Sequence, residues 1–157
     1  MYDSFLVRSD SLRNFTEDGK VAGFCFGVRI ANYRGVFLSL HNGYYVEVDG
    51  EKYPVALQRF GVNGKAPRTF EELKNNAVLE HWDMQDEATL YVYKDGGLSA
   101  GTHKVGILES ILCSYGRMPF DEEMVKNPPV PGEAFGRAGA GGSKTTDISW
   151  FNLELQN

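Results

Sequence analysis

Apolar residues recur at every second position through much of this chain. Phe24, Phe26, Val28 and Ile30 fall on one side of an extended run, with Cys25, Gly27 and Arg29 between them. That alternation is the pattern of a half-buried strand. Val36, Leu38 and Leu40 repeat it, and so do Tyr44, Val46 and Val48. Asn42-Gly43, Asp49-Gly50 and Asn63-Gly64 each lie beside such a run. These dipeptides tolerate the positive φ angles of a type I′ turn, so each is a hairpin signal and together they predict an antiparallel meander. The second half returns to the same period. Ala88 to Tyr93 reads as a strand, and Lys94-Asp95-Gly96-Gly97 as a turn. Over 103–115, Val105, Ile107, Ile111, Cys113 and Tyr115 share one face, with Leu108 and Leu112 on the other. A strand apolar on both faces belongs in the middle of a sheet. The pattern therefore predicts strands near 24–30, 36–48, 52–62, 88–93, 103–115 and 146–155.

One helix stands out. Thr69 and Glu72 form a capping box ahead of a short run from Phe70 to Asn76. Two turns are too few to organise a fold, and nothing alternates strands with long amphipathic helices, which argues against βαβ units. The expected fold is all-β: a single antiparallel β-sandwich domain over 1–157, with one short helix and a long Gly/Pro-rich loop. That loop is 117–142, with four Pro and five Gly. Pro128-Pro129-Val130-Pro131 favours a stiff, extended backbone, and Gly136 to Gly142 a flexible one. It reads either as a surface loop or as an arm that orders against a partner.

Composition narrows the function. With 157 residues and 42% hydrophobic content, the chain is long enough for one core. A net charge of −5 speaks against nucleic acid and anionic lipid, both of which select a basic face. No apolar run approaches the ~20 residues of a membrane span. The opening Met1-Tyr2-Asp3-Ser4-Phe5 has neither the basic nor the apolar region of a signal peptide. Cys25 and Cys113 sit in apolar alternating runs, as buried free thiols do. A cytoplasmic protein is expected.

Candidate chemistry is sparse. Gly136 to Thr145 looks superficially like a phosphate loop, but Ser143 separates glycine from Lys144. A strand also follows where a helix would have to start. His41, His81 and His103 have no metal-site spacing. His103 opens a strand, and His41 precedes a turn signal. Glu80-His81-Trp82-Asp83 is more informative, because it gathers carboxylates around an imidazole beside an indole. It is either a solvated strand edge with a half-buried Trp or a patch at an interface or site, where Trp is favoured. A His-Asp pair can act as a general base, but no nucleophile motif accompanies it. The site-edge candidates are His81, Trp82, Asp83, Pro128, Pro129 and Pro131. No catalytic, cofactor-binding or metal-binding residue is assigned.

Taken as whole segments, the chain resembles the small β subunit of bacterial C-deglycosylation enzymes, the C-glycoside deglycosidases. The likeness is carried by Met1 to Asn14, by Asn32-Tyr33-Arg34-Gly35, and by Leu38-Ser39-Leu40-His41-Asn42-Gly43-Tyr44-Tyr45. Arg68 to Leu73, Glu80-His81-Trp82-Asp83 and Asn127-Pro128-Pro129-Val130-Pro131-Gly132 continue it in order. The resemblance implies a heteromeric carbon–carbon lyase acting on 3-oxo-C-glucosides of flavonoids. A larger α subunit, similar to sugar-phosphate isomerase TIM barrels, would carry a divalent metal, usually manganese, and the base. The metal would stabilise an enolate, and β-elimination would expel the aglycone. This chain would then be a β-sandwich subunit without a catalytic residue or cofactor of its own. Two other readings stay open. One is a free-standing carbohydrate- or polyphenol-binding β-sandwich with Trp82, Tyr44 or Trp150 as stacking platforms. The other is a self-sufficient enzyme using His81 and nearby acids.

Overall fold

The computed structural model describes residues 6–30, 36–76, 80–83, 85–111 and 149–156. Two four-stranded antiparallel sheets form the fold. The first runs β1 (Arg13–Glu17), β2 (Lys20–Val28), β8 (Ala88–Tyr93) and β6 (Gln58–Val62), in that spatial order. The second runs β10 (Ser149–Glu154), β9 (Thr102–Ile111), β4 (His41–Val48) and β5 (Glu51–Tyr53). A third, two-stranded ladder pairs β3 (Val36–Phe37) with β7 (His81–Trp82). Phe24, Phe26, Leu90, Val92 and Phe60 from the first sheet join Val46, Val48, Val105, Ile107 and Leu153 from the second in one buried cluster. The inner faces thus pack on each other as a β-sandwich.

Turn chemistry explains two hairpins. Asp49 and Gly50 take φ values of 51° and 88°, as the type I′ turn between β4 and β5 requires. Asp18-Gly19, at 52° and 78°, does the same between β1 and β2, a hairpin the expected strand list omits. The other two signals have different outcomes. Asn42-Gly43 lies inside β4, where the register with β9 shifts between His41 and Tyr44. It makes a bulge rather than a turn. Asn63-Gly64 folds the chain back so that Arg68 pairs with Phe60. The expected meander is therefore corrected. β8 inserts between β2 and β6, and β9 between β4 and β10, so most neighbours in space are distant in sequence.

Strand limits shift as well. The run expected as one strand over 36–48 is broken by a 3-10 turn, Leu38–Leu40, and the run over 52–62 by another, Val55–Leu57. The first strand starts earlier, at Lys20, and ends at Val28. The strand expected over 103–115 is described to Ile111 and is central, between β10 and β4. The remainder of that run, Cys113 included, lies outside the described residues, as does the 117–142 loop.

The helix α1 (Phe70–Asn76) forms where the capping box places it. Thr69 N–H donates to Glu72 Oε1 at 3.0 Å, and Glu72 N–H donates to Thr69 Oγ1 at 3.0 Å. Phe70 and Leu73, three residues apart on one face, are its buried side chains. They bring α1 against the 3-10 turn at Leu38 and against β4. This corner of the sandwich also holds β3 and β7. Among the described residues, no helix is long and apolar enough to cross a membrane.

Candidate functional site

The Glu80–Asp83 run divides its four side chains among three environments. Glu80 accepts a forked pair of hydrogen bonds from Arg68, Nη1 to Oε2 at 2.9 Å and Nη2 to Oε1 at 2.8 Å, with Lys65 Nζ at 3.2 Å. Two-point guanidinium binding is the strong form of this contact. Mainly through the Arg68 hydrogen bonds, it pulls the Glu80 carboxyl down to about 2. Glu80 is therefore committed to Arg68 and does not face the imidazole. Next in the chain, His81 is exposed at the ladder's surface. Its Nδ1 lies 2.8 Å from Asp83 Oδ1, and its ring meets Phe37 edge-on, 5.0 Å away at 81°.

Asp83 is itself braced. Its N–H donates to Asp86 Oδ2 at 2.9 Å, and Asp86 N–H returns to Asp83 O at 3.0 Å. Asn63 Nδ2 then donates to Asp86 Oδ1 at 3.1 Å. The positive-φ turn at Asn63 thus supports the backbone of Asp83, whose carboxylate holds His81. Phe37, 45% exposed, is the apolar surface beside the pair. Nothing local in the sequence marks Phe37, since its partner His81 is 44 positions away and only the β3–β7 ladder brings them together.

Trp82 is the correction. It is fully buried, so its ring offers no surface to a partner. It stacks on His41, with centroids 5.6 Å apart and planes 19° apart. His41 is equally buried, and Tyr44, Phe60 and Phe70 surround it at centroid distances of 4.9, 5.0 and 4.8 Å. β4, β6, β7 and α1 each contribute one wall. Gly43 N–H donates to His41 Nδ1 at 3.0 Å, which leaves the proton on Nε2. Burial holds the ring neutral, with its pKa lowered to about 3. Among the described residues, two donors in this cage have no acceptor, His41 Nε2 and Trp82 Nε1, a costly arrangement in a core. The clue in sequence was the Asn42-Gly43 pair, whose bulge turns His41 and Tyr44 inward.

The third histidine is structural too. His103 is buried beside Asp49, Nδ1 to Oδ2 at 2.6 Å, and its Nε2 lies 2.7 Å from the Ser99 carbonyl. Burial opposes charge on this ring, but the Asp49 and Ser99 hydrogen bonds outweigh it and raise its pKa. Asp49 also accepts from Lys104 N–H at 2.9 Å, so one carboxylate ties the β4–β5 turn to β9. The three histidines lie in three separate settings. Among the described residues, no three His, Cys, Asp or Glu side chains converge as a metal site would need. Cys25 is buried and free, and burial raises its thiol pKa.

Two of the expected stacking platforms, Trp82 and Tyr44, are thus core residues. Trp150 is 43% exposed, but Lys104 Nζ already lies over its ring, 4.7 Å from the centroid. Pro128, Pro129 and Pro131 fall outside the described residues. What remains open on this corner is His81 with Asp83 and Phe37.

Comparison with known proteins gives a consistent picture. The sequence profile of the family described as C-glycoside deglycosidase beta subunit matches residues 2–115. A protein of Eubacterium cellulosolvens named "C-glycoside deglycosidase beta subunit" is 31% identical over 131 residues, covering 78% of this chain and 88% of the relative.

Proposed function

Because the chain belongs to the C-glycoside deglycosidase beta subunit family, we propose that it works as the small subunit of a carbon–carbon lyase. The family match over most of the chain is the observation that carries this reading. A C-glycoside joins its sugar through carbon, so the leaving atom has no lone pair for an acid to protonate before the bond breaks. Oxidising the sugar to its 3-oxo form makes the neighbouring C–H acidic and opens a β-elimination route. The substrates proposed are 3-oxo-C-glucosides of flavonoids. The partner proposed is a larger, isomerase-like TIM-barrel α subunit that holds a divalent metal, manganese in the first instance, and the base. The metal supplies Lewis-acid stabilisation of the enolate.

The described part of this chain suits a supporting role. His41 and His103 are locked in the core, and Glu80 is committed to Arg68. Among the described residues, the β3–β7 ladder with Phe37, His81 and Asp83 is proposed as a surface for a partner or substrate. The Pro128–Pro131 stretch is proposed as a second contact, since a chain already extended by proline loses less entropy on binding. Co-expression with the α subunit tests the reading. The two chains should co-purify, and deletion of Glu133–Gly142 should weaken their association while leaving the thermal transition of this chain in place. Equal association with and without that segment removes the arm from the interface.

A free-standing sugar- or polyphenol-binding module is the weaker alternative, because Tyr44 and Trp82 are buried and Lys104 already lies over the Trp150 ring.

A further inference from the structure

The His81–Asp83 pair is built like a proton-transfer group and does nothing for the core. Its imidazole is exposed, with Nδ1 committed to Asp83 at 2.8 Å. That contact makes Nδ1 the donor and fixes the ring so that Nε2 is the atom left to act. The backbone under it is paired with Phe37, and the Asp83 backbone that carries the carboxylate is braced through Asp86 to Asn63. Positioning of this quality is more than a solvated histidine needs. Phe37 adds an exposed aromatic wall at 5.0 Å, suited to a flat aromatic group lying beside the imidazole.

Carbon–carbon cleavage creates a demand for such a group. When the bond between the anomeric carbon and the aglycone breaks, its electron pair leaves with the aglycone carbon, which must gain a proton. We propose that His81, positioned by Asp83, delivers that proton from Nε2 across the subunit interface, with Phe37 flanking the aromatic leaving group. The inference rests on the reading of the chain as a lyase subunit. In the step, the α subunit's base takes the proton from the sugar carbon next to the anomeric centre. The electrons of that C–H bond become the new carbon–carbon double bond of the sugar. The electrons of the broken bond form a C–H bond on the aglycone with the Nε2 proton. His81 enters this step as the imidazolium, with a proton on each ring nitrogen; it is left neutral with Nδ1–H on Asp83 and regains the Nε2 proton from solvent. Asp83 is a positioning residue; His81 is the group that touches substrate.

The test uses the reconstituted complex of both subunits with a 3-oxo-C-glucoside. His81→Ala should assemble normally, keep KM within a few-fold and lose about 100-fold in kcat, the scale of a lost general acid. Added imidazole should restore part of the loss, and His81→Gln, which hydrogen-bonds but transfers no proton at this position, should be as slow as His81→Ala. Turnover within threefold of the wild type in His81→Ala overturns the proposal. So does failure of His81→Ala to assemble, which would make the residue an interface contact. A wild-type complex that assembles but releases no aglycone overturns both this inference and the lyase reading beneath it.

Discussion

Gln58 joins the two sheets by pairing its side-chain amide with the backbone of Tyr44. Oε1 accepts from Tyr44 N–H at 3.1 Å, and Nε2 donates to Tyr44 O at 2.8 Å and to Tyr53 O at 3.1 Å. Gln58 starts β6 in the first sheet, and Tyr44 lies in β4 of the second. The bulge at Asn42-Gly43 interrupts the β4–β9 ladder just there, and the fully buried amide of Gln58 supplies hydrogen bonds at the gap. Gln58→Leu keeps much of the volume but removes all three bonds. It should lower stability by ~3 kcal/mol, at ~1 kcal/mol or more for each buried polar group left without this partner. Urea unfolding measures it; a loss under ~0.5 kcal/mol would mean the sheets do not rely on this link.

The buried cage gives a second prediction. Trp82→Ala should cost ~3–5 kcal/mol, as large core truncations do. Trp82→Phe should cost much less, because it keeps an aromatic against His41 and removes the unpartnered Nε1 donor. Thermal melts of the isolated chain separate the two. If Trp82→Ala melts like the wild type, the indole is not part of the core.

His41 and His103 should tilt stability in opposite directions with pH. The His41 pKa is lowered in the fold from 6.5 to about 3. Its contribution is therefore full above 6.5 and declines as pH falls below that toward 3, where the unfolded chain takes up a proton that the buried ring refuses. The His103 pKa is raised from 6.5, so its contribution is full below 6.5 and is lost as pH rises through the raised value. Denaturant titrations across this range should show His103→Gln losing the alkaline decline and keeping the acid one. A wild-type profile in His103→Gln would mean that the Asp49 contact carries no proton-linked stability.

Trp150 reports on the outer face of the second sheet. A Cβ at Gly106 would fall 2.6 Å from the Trp150 ring, so Gly106→Ala should push the indole off the strand. Its emission should shift to the red and its quenching by iodide should rise. Trp82, buried in the cage, should be unaffected. An unchanged spectrum would place the indole elsewhere.

Much of this was legible in the sequence because the determining interactions are local. The capping box fixed α1 to the residue, since Thr69 and Glu72 satisfy each other's backbone within one turn. Alternation marked β2, β8 and the centre of β9. What could not be read was set by contacts between distant residues. Asn42-Gly43 has the dipeptide of a hairpin, and only its pairing with β9 makes it a bulge. In sequence His41 only precedes a turn signal within the 36–48 run; its burial comes from four elements that close around it. The charged neighbours of Trp82 point to a half-buried edge or an interface patch, but in the two-residue strand His81 faces outward and the alternate position, Trp82, faces the core. Phe37 became part of the candidate site only through that same ladder.

The central claim is that this chain is one subunit of a C-deglycosylating lyase whose activity depends on a second chain. The most direct measurement combines the purified chain with the purified α subunit and a divalent metal, then follows aglycone release from a 3-oxo-C-glucoside by chromatography. The account predicts no release from this chain alone and release when the two are combined, rising with this chain until a fixed ratio is reached. Release at the same rate from the α subunit with or without this chain, or from this chain alone, would contradict it.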